Sequence, residues 1–360
     1  MSYSTPPHRL GPVHEILNVL AESRCVLLTT HVNADGDGVG CQAALASWLR
    51  ARGKEAWIVN PTPVPDSFDF LLPDGSRSLD PGSGTVREVL NRVDLAVVLD
   101  TGEGSRIGRV MDLIRDLPRV IVDHHPPGPD PISGLSLRDP GASATGELLF
   151  DLLKEAGSLT REAALGIYVA ILTDTGSFRF SNASPDAHRL VAELLELGVD
   201  PEETYRRVYG NLPLRKLRLL EAALAELEVD PSGRVAWMTV PTGAFEALSA
   251  TSADLEGLVD YPREIQGVQV GLLFREVARG GTKVSFRSNG EVDVNALAGE
   301  FGGGGHRKAA GALLEGPLPE VRERVLEATR EAVRVQLEEE TGGTAEGGNH
   351  EWPMNEGAGS

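Results

Sequence analysis

Four apolar runs in this chain end directly in carboxylate or imidazole side chains. These side chains are His31, Asp35 and Asp37 after residues 26–30, Asp100 after 95–99, Asp123, His124 and His125 after 119–122, and Asp174 after 167–173. In an open α/β sheet the carboxyl ends of parallel strands meet at one edge, where ligands bind. Acidic groups gathered there would repel one another unless a cation held them. The pattern therefore predicts an α/β fold that carries a two-metal hydrolase site.

Length and charge limit the range of partners. The chain has 360 residues, of which 41% are hydrophobic, so it is long enough for two or three domains with ordinary cores. It carries 34 basic and 53 acidic side chains, a formal net charge of −19. An acidic surface disfavours long nucleic acid, whose non-specific binding depends on phosphate contacts. A short phosphorylated substrate, held by metals and a few arginines, remains compatible with this charge.

The two cysteines, Cys25 and Cys41, have neither CxxC nor zinc-site spacing. Both lie among apolar or small residues, so we expect packed thiols in a reducing cytoplasm. Residues 1–7 contain no apolar signal core, and no apolar run approaches the length of a membrane span. The sequence therefore predicts a cytoplasmic protein that does not bind membranes.

The first half of the chain alternates between strand-like and helix-like segments. The predicted strands cover residues 24–30, 56–60, 93–99 and 119–122, with helices at 37–52 and 111–117. This alternation is typical of a parallel, doubly wound sheet. Helical patterning then extends over 143–156, 160–173, 185–197 and 201–209.

The pattern changes again after a predicted connecting helix at 213–227. Strand-like segments follow at 234–240, 268–274 and 282–287, with a helix at 319–336 and a Gly-rich stretch from 340 onward. We predict a catalytic domain over residues 10–212, a linker helix over 213–230, a smaller α/β domain over 231–338 and a disordered tail over 339–360.

The acidic clusters support different interpretations when they are considered singly and when they are considered together. Taken singly, each could be a capped turn or a charged loop. Taken together they favour metal binding, because Mn²⁺ and Mg²⁺ accept carboxylate oxygens and Mn²⁺ also accepts imidazole. Gly36, Gly38 and Gly40 are expected to let the first loop turn tightly and approach a ligand. Asp123 is expected to orient a histidine.

At these positions the chain resembles the DHH phosphoesterases. Residues 31–40 (HVNADGDGVG) resemble the first motif of that family, Asp100 matches the second, Asp123-His124-His125 the third and Asp174 the fourth. Residues 302–311 (GGGGHRKAAG) resemble the signature of the DHH-associated C-terminal domain. The resemblance covers roughly residues 15–335. It implies a DHH domain followed by a DHH-associated domain, with the active-site cleft between them.

The resemblance also implies roles for individual residues. One metal would take His31, Asp35 and Asp100, and a second would take Asp37, Asp100, His124 and Asp174. Asp100, Asp123 and His125 would be catalytic, with His125 facing the substrate phosphate or protonating the leaving group. Substrate would contact Arg287, Gly303, Gly304, Gly305 and His306. Arg106 is a further candidate for contacting phosphate, because it lies near a metal motif. Two divalent ions are implied, with Mn²⁺ preferred because of the histidine ligands and with Mg²⁺ or Co²⁺ also compatible.

Within the family, size and layout resemble the oligoribonucleases that are also 3′-phosphoadenosine 5′-phosphate phosphatases. Such enzymes cleave 5′-phosphorylated oligoribonucleotides of about two to five nucleotides, including linear dinucleotides, and are compatible with a homodimer. A cyclic di-AMP phosphodiesterase remains an alternative. A RecJ-type single-strand exonuclease is disfavoured by the absence of room for an extra DNA-binding domain. A non-catalytic dinucleotide sensor is disfavoured because every metal-ligand position is filled.

Overall fold

The computed structural model describes residues 2–72, 78–157, 159–277 and 280–342. The chain divides into two compact units, Met1–Asn211 and Leu212–Ser360. Of the predicted tail over 339–360, the part from 343 onward lies outside the described residues. Within the described ranges, no helix combines the length and the apolar character that a membrane span requires.

The first unit is built on a five-stranded parallel sheet. Its strands are β1 (Cys25–Thr29), β2 (Glu55–Ile58), β3 (Leu95–Leu99), β4 (Arg119–Asp123) and β5 (Leu135–Arg138), in the spatial order β2-β1-β3-β4-β5. The order reverses between β1 and β3, and ligands of such sheets bind outside the strand ends at this point. The predicted doubly wound α/β fold is confirmed.

Helices cover both faces of this sheet. They are α1 (Pro7–Glu22), α2 (Gly36–Arg50), α3 (Gly84–Leu90), α4 (Val110–Ile114), α5 (Thr145–Glu155), α6 (Arg161–Asp174), α7 (Pro185–Glu196) and α8 (Pro201–Tyr209). Alternate strand residues serve the two cores: Leu28 and Val97 pack among residues of α1, α2, α5 and α6, and Leu27 and Val98 pack among residues of α3 and α4.

One detail of the sequence prediction is confirmed here and another is corrected. The run that leads to Asp174 forms the 14-residue helix α6, in agreement with the helical patterning predicted over 160–173. Gly36, Gly38 and Gly40 do not shape a loop, since they lie in the first turns of α2. A Cβ at these positions would lie 2.4 Å from Thr173 Cγ2, 2.4 Å from Thr30 Oγ1 and 2.3 Å from the Gly166 carbonyl oxygen, respectively. These glycines therefore allow α2 to pack closely against α6 and β1.

The second unit contains a mixed six-stranded sheet. In chain order its elements are α9 (Leu214–Ala225), β6 (Glu228–Val229), β7 (Val235–Val240), α10 (Ala244–Ala247), α11 (Asp260–Arg263), β8 (Val270–Val277), β9 (Gly281–Ser288), α12 (Val294–Gly299), β10 (Gly304–His306), β11 (Ala309–Glu315) and α13 (Leu318–Gly342). The spatial order is β10-β11-β9-β8-β7-β6, with β7 and β8 parallel and the other neighbours antiparallel. One core packs residues of the sheet against α12 and α13.

Candidate metal centre

The predicted ligands of the first unit come together at the carboxyl edge of its sheet. His31 follows β1, Asp100 follows β3 and His124 follows β4, whereas Asp37 lies in the first turn of α2 and Asp174 ends α6. Among the described residues, three groups have ligand atoms close enough to hold an ion. They are His31, Asp35 and Asp100; Asp37, His124 and Asp174; and Asp100, His124 and His125.

Asp100 faces two imidazoles with its two carboxylate oxygens. Its Oδ2 lies 3.2 Å from His31 Nε2, and its Oδ1 lies 3.8 Å from His124 Nε2. The side chain is buried, and its backbone has a φ of +62°, a left-handed conformation that Asp tolerates better than most residues. With this geometry, the Asp100 carboxylate can contribute one oxygen to each of two candidate groups of metal ligands.

His124 carries an unsatisfied buried nitrogen. Its Nδ1 lies 3.3 Å from the carbonyl oxygen of Ala142, which favours a proton on that nitrogen. Its Nε2 is buried without a hydrogen-bond partner among the described residues, 3.8 Å from Asp37 Oδ2 and 3.6 Å from Asp174 Oδ2. Ligands of a single divalent ion lie roughly 3 to 3.5 Å apart, so small shifts would let these three groups share one. The donor set fits a divalent cation.

Electrostatic repulsion marks the same region. Burial raises the pKa of Asp37 well above its usual value, and the charges of Asp100 and Asp174 raise it further. Burial and Asp100 also raise the pKa of Asp174 to about 6, although His124 opposes the shift. A bound cation reverses such shifts, since it favours the ionised carboxylates.

His31 and Asp35 form the other side of the centre, where His31 is buried and Asp35 is exposed. Burial opposes protonation of His31, but hydrogen bonds to Asp100 and Asp35 outweigh it and raise the pKa of His31 to about 10. Asp35 caps α2 by accepting hydrogen bonds from the backbone N–H groups of Asp37 and Gly38, at 3.1 and 3.2 Å. Asp35 therefore has a structural role as well as a position suited to a ligand.

His125 is oriented by its neighbour Asp123. Asp123 Oδ1 lies 2.8 Å from His125 Nδ1 and accepts a hydrogen bond from the His125 backbone N–H at 3.0 Å. Burial and the charge of Arg106 lower the pKa of His125, but the bond to Asp123 outweighs them and raises it. Arg106 itself lies in a 3-10 turn, where its carbonyl oxygen accepts a hydrogen bond from Val32.

Arg138 is a charged residue of this region that the sequence analysis missed. Its Nε lies 3.5 Å from Asp123 Oδ2, and a Cβ on Gly102 would lie only 1.5 Å from its Nη2. Arg138 ends β5, and the pairing of β4 with β5 places it opposite Asp123. Because β5 was not predicted, no sequence pattern indicated that these two residues would pair.

The predicted substrate residues of the second unit lie on its sheet. Arg287 is in β9, where its Nη1 donates a hydrogen bond to the Phe286 carbonyl oxygen and its Nε lies 3.9 Å from Asp260 Oδ1. Burial lowers the pKa of Arg287, and the charge of Asp260 opposes this effect.

The Gly-rich segment is not a simple loop. Gly304, Gly305 and His306 form β10, which pairs with β11. A Cβ at Gly303 would lie 2.3 Å from the Gly311 carbonyl oxygen, and one at Gly305 would lie 2.5 Å from that of Ala309. The glycines are thus required for close strand pairing. The side chain of His306 lies outside the described part of the chain.

Comparison with known proteins agrees with this architecture. Residues 25–171 match the DHH family, N-terminal domain, and residues 239–335 match the DHHA1 domain. The solved structure of an exopolyphosphatase-related protein from Bacteroides fragilis is similar, with a TM-score of 0.82, 25% identity and coverage of 90% of this chain and 96% of that one.

Two relatives share the name bifunctional oligoribonuclease and PAP phosphatase NrnA. The relative from Thermus thermophilus is 36% identical over 316 residues, which span 85% of this chain and 89% of the relative. The relative from Bacillus subtilis is 29% identical over 305 residues, which span 83% and 92% of the two chains. From its motifs, its fold and these similarities, the chain belongs to the DHH family.

Proposed function

We propose that this chain is a metal-dependent phosphoesterase. Its substrates would be short 5′-phosphorylated oligoribonucleotides, including linear dinucleotides, which it converts to mononucleotides, and 3′-phosphoadenosine 5′-phosphate, which it converts to AMP. The observation that carries the proposal is the pair of candidate ligand groups that Asp100 faces with its two oxygens. The names of the two NrnA relatives support oligoribonucleotides and PAP as substrates. The preference for short, 5′-phosphorylated chains is part of the proposal.

The proposed centre holds two divalent ions, with Mn²⁺ preferred. His31, Asp35 and Asp100 would bind one ion, and Asp37, Asp100, His124 and Asp174 would bind the other. Histidine in both sets favours Mn²⁺ over Mg²⁺. When bound, such ions supply an activated water and neutralise charge on phosphoryl oxygens.

The chain's own residues would align and protonate the substrate. We assign His125 as the donor of a proton to the leaving oxygen, because Asp123 fixes the ring from one side. Arg138 would keep Asp123 in place, and Arg106 would add positive charge next to the phosphate. The net charge of −19 supports a preference for short substrates, since a long strand gains affinity mainly through many phosphate contacts.

The test is a Mn²⁺-dependent time course with products resolved. The substrates are 5′-phosphorylated di-adenylate, 3′-phosphoadenosine 5′-phosphate, cyclic di-AMP and a 20-mer RNA. Rapid AMP release from the first two, with slow turnover of the 20-mer, supports the proposal. Faster cleavage of the 20-mer would favour a RecJ-type exonuclease. Faster cleavage of cyclic di-AMP would favour a cyclic dinucleotide phosphodiesterase. Tight dinucleotide binding without turnover would favour a sensor.

Replacement of Asp100 tests the site itself. Asn is preferred to Ala because Asn tolerates the positive φ of this position. We expect Asp100→Asn to fold and to lose about 10³-fold in kcat, or about 4 kcal/mol, because both ligand groups lose a shared charge. Asp112→Asn is the matched control, since Asp112 is exposed on α4 and pairs with Arg115. Wild-type turnover by Asp100→Asn would exclude this site as the centre of the reaction.

A further inference from the structure

We propose that Thr145, the first residue of α5, is a positioning residue that holds Asp37 and Asp100 in the geometry needed for divalent ions. The inference rests on the proposed function, because it concerns the same metal centre. Thr145 belongs to none of the family motifs identified in the sequence. It is fully buried and contacts two candidate ligands that come from different elements of the fold.

The contacts of Thr145 are short and directional. Its side-chain Oγ1 donates a hydrogen bond to Asp100 Oδ1 at 2.9 Å, and its backbone N–H donates to Asp37 Oδ2 at 2.7 Å. The next N–H, that of Gly146, donates to Asp37 Oδ1 at 2.9 Å. One turn of helix thus fixes both oxygens of Asp37 and one oxygen of Asp100.

The start of α5 is arranged around these acceptors. Its N-cap residue, Ala144, provides no side-chain cap, so the carboxylate of Asp37 from α2 satisfies the first N–H groups instead. A Cβ on Gly146 would lie 2.6 Å from the Cβ of Ala170, so a glycine is needed for α5 to approach α6 this closely. The start of α5 thus binds both Asp37 and Asp100, whose like charges repel each other.

A purely structural role of Thr145 predicts that its replacement lowers stability alone, whereas a positioning role predicts that its replacement also weakens metal binding. The backbone N–H of residue 145 persists in any variant other than proline, so the capping by Asp37 is retained. Among the described contacts, the hydroxyl makes only the hydrogen bond to Asp100. Without that bond the carboxylate can rotate away from the orientation that faces both imidazoles. Loss of a hydrogen bond that orients a metal ligand typically costs about 10- to 100-fold in metal affinity.

The experiment compares Mn²⁺ binding by the full-length wild type, Thr145→Val and Thr145→Ser without substrate. Free Mn²⁺ is followed by electron paramagnetic resonance, and binding heat by calorimetry. Val keeps the shape of Thr without the hydroxyl, whereas Ser keeps the hydroxyl. We expect about 10-fold weaker Mn²⁺ binding for Thr145→Val, and affinity within about 3-fold of wild type for Thr145→Ser. Thr145→Ala replaces Thr145→Val in the comparison if the valine variant does not fold.

Thr160→Val is the matched control for loss of a threonine hydroxyl elsewhere in the same unit. Thr160 caps α6 by accepting a hydrogen bond from the Ala163 N–H at 3.1 Å, so its loss should lower stability without changing Mn²⁺ affinity. Unchanged affinity in Thr145→Val overturns the inference even if the wild type hydrolyses every short substrate. Weakened affinity supports it even if no substrate is turned over. Failure of the wild type to bind Mn²⁺ overturns both proposals.

Discussion

Two clusters of buried and half-buried charged side chains lie in the described part of the first unit, and their polar atoms are satisfied in different ways. The carboxylate cluster consists of Asp37, Asp100 and Asp174 with His31 and His124. The arginine cluster consists of Arg9 with Tyr3, Asp139, Glu147 and Asp151. In the first, carboxylates face one another across an unsatisfied imidazole nitrogen. In the second, the guanidinium of Arg9 donates to all three acidic groups.

In the arginine cluster, hydrogen bonds from a single guanidinium join the three acidic side chains. Arg9 is 4% exposed, and it donates to Asp139 at 2.7 Å, to Glu147 at 2.8 Å and to Asp151 at 2.9 Å. The hydroxyl of Tyr3 donates to the remaining oxygen of Asp151 at 2.7 Å. The comparison teaches that buried acidity alone does not identify a cation site. The informative feature of the carboxylate cluster is the buried Nε2 of His124, which has no hydrogen-bond partner among the described residues.

The largest effect on stability is expected from removal of the arginine. Arg9→Met leaves three acidic groups without their shared cation, so the free energy of unfolding should fall by about 3–5 kcal/mol. Urea denaturation in EDTA measures this change. Arg115→Met is the matched control, because Arg115 is exposed directly after α4 and its side chain pairs only with nearby Asp112 among the described contacts. A loss below about 1 kcal/mol would mean that Arg9 does not stabilise the three acidic groups of the arginine cluster.

The sequence predicted the carboxylate cluster far better than the arginine cluster. Parallel strands bring their carboxyl ends together, so His31, Asp100 and His124 could be assigned to one edge from their positions after apolar runs. Arg9 and Asp139 carry no such signal, because their contact depends on how α1 packs beside β5 in three dimensions. Strand β5 itself is only four residues long and half exposed, and its pattern is too short to stand out.

Thr145 shows the same limit within the site. The prediction of a helix over 143–156 placed it near a helix start, where a threonine usually serves as a local cap. In the structure the cap comes instead from Asp37, 108 residues earlier in the chain. Side chains that bind an ion directly are recognisable by type and spacing, whereas the residues that orient them depend on tertiary packing.

An Asp→Asn substitution should change the free energy of unfolding in opposite directions in the two clusters. Without metal at pH 7, Asp174→Asn removes one of several mutually repelling charges, so the free energy of unfolding should rise by about 1 kcal/mol or more. Asp139→Asn removes a charge that Arg9 and His8 stabilise, so the free energy of unfolding should fall by about 1–2 kcal/mol. Urea denaturation in EDTA measures both. If both substitutions changed the free energy of unfolding in the same direction, the proposed distinction between the clusters would be wrong.

Added Mn²⁺ sharpens this contrast. It should stabilise the wild type by RT ln(1 + [Mn²⁺]/Kd), about 2.7 kcal/mol at one hundred times Kd. The stabilisation should be much smaller in Asp174→Asn, which lacks a proposed ligand, and unchanged in Asp139→Asn. A full Mn²⁺ response in Asp174→Asn would contradict the assignment of Asp174 to the centre.

The smallest predicted effect is the acid dependence of the arginine cluster. Burial alone would raise the pKa of Asp139, but hydrogen bonds from His8, the Gly141 N–H and Arg9 outweigh it and lower the pKa to about 2. A carboxyl whose pKa falls on folding stabilises the protein above its unfolded pKa, near 3.9, and this contribution is lost as the pH falls toward the folded value. Between pH 5 and pH 3, Asp139 should therefore account for a loss of about 1 kcal/mol.

Urea denaturation of the wild type and Asp139→Asn at both pH values, in EDTA, isolates this contribution. The two proteins should differ less at pH 3 than at pH 5, because the wild-type carboxyl has by then lost about half of its advantage over the amide. A difference that stays constant would mean that Asp139 gains no charge stabilisation on folding. The arginine cluster would then be held by packing and neutral hydrogen bonds, and its contrast with the carboxylate cluster would be one of geometry rather than of charge.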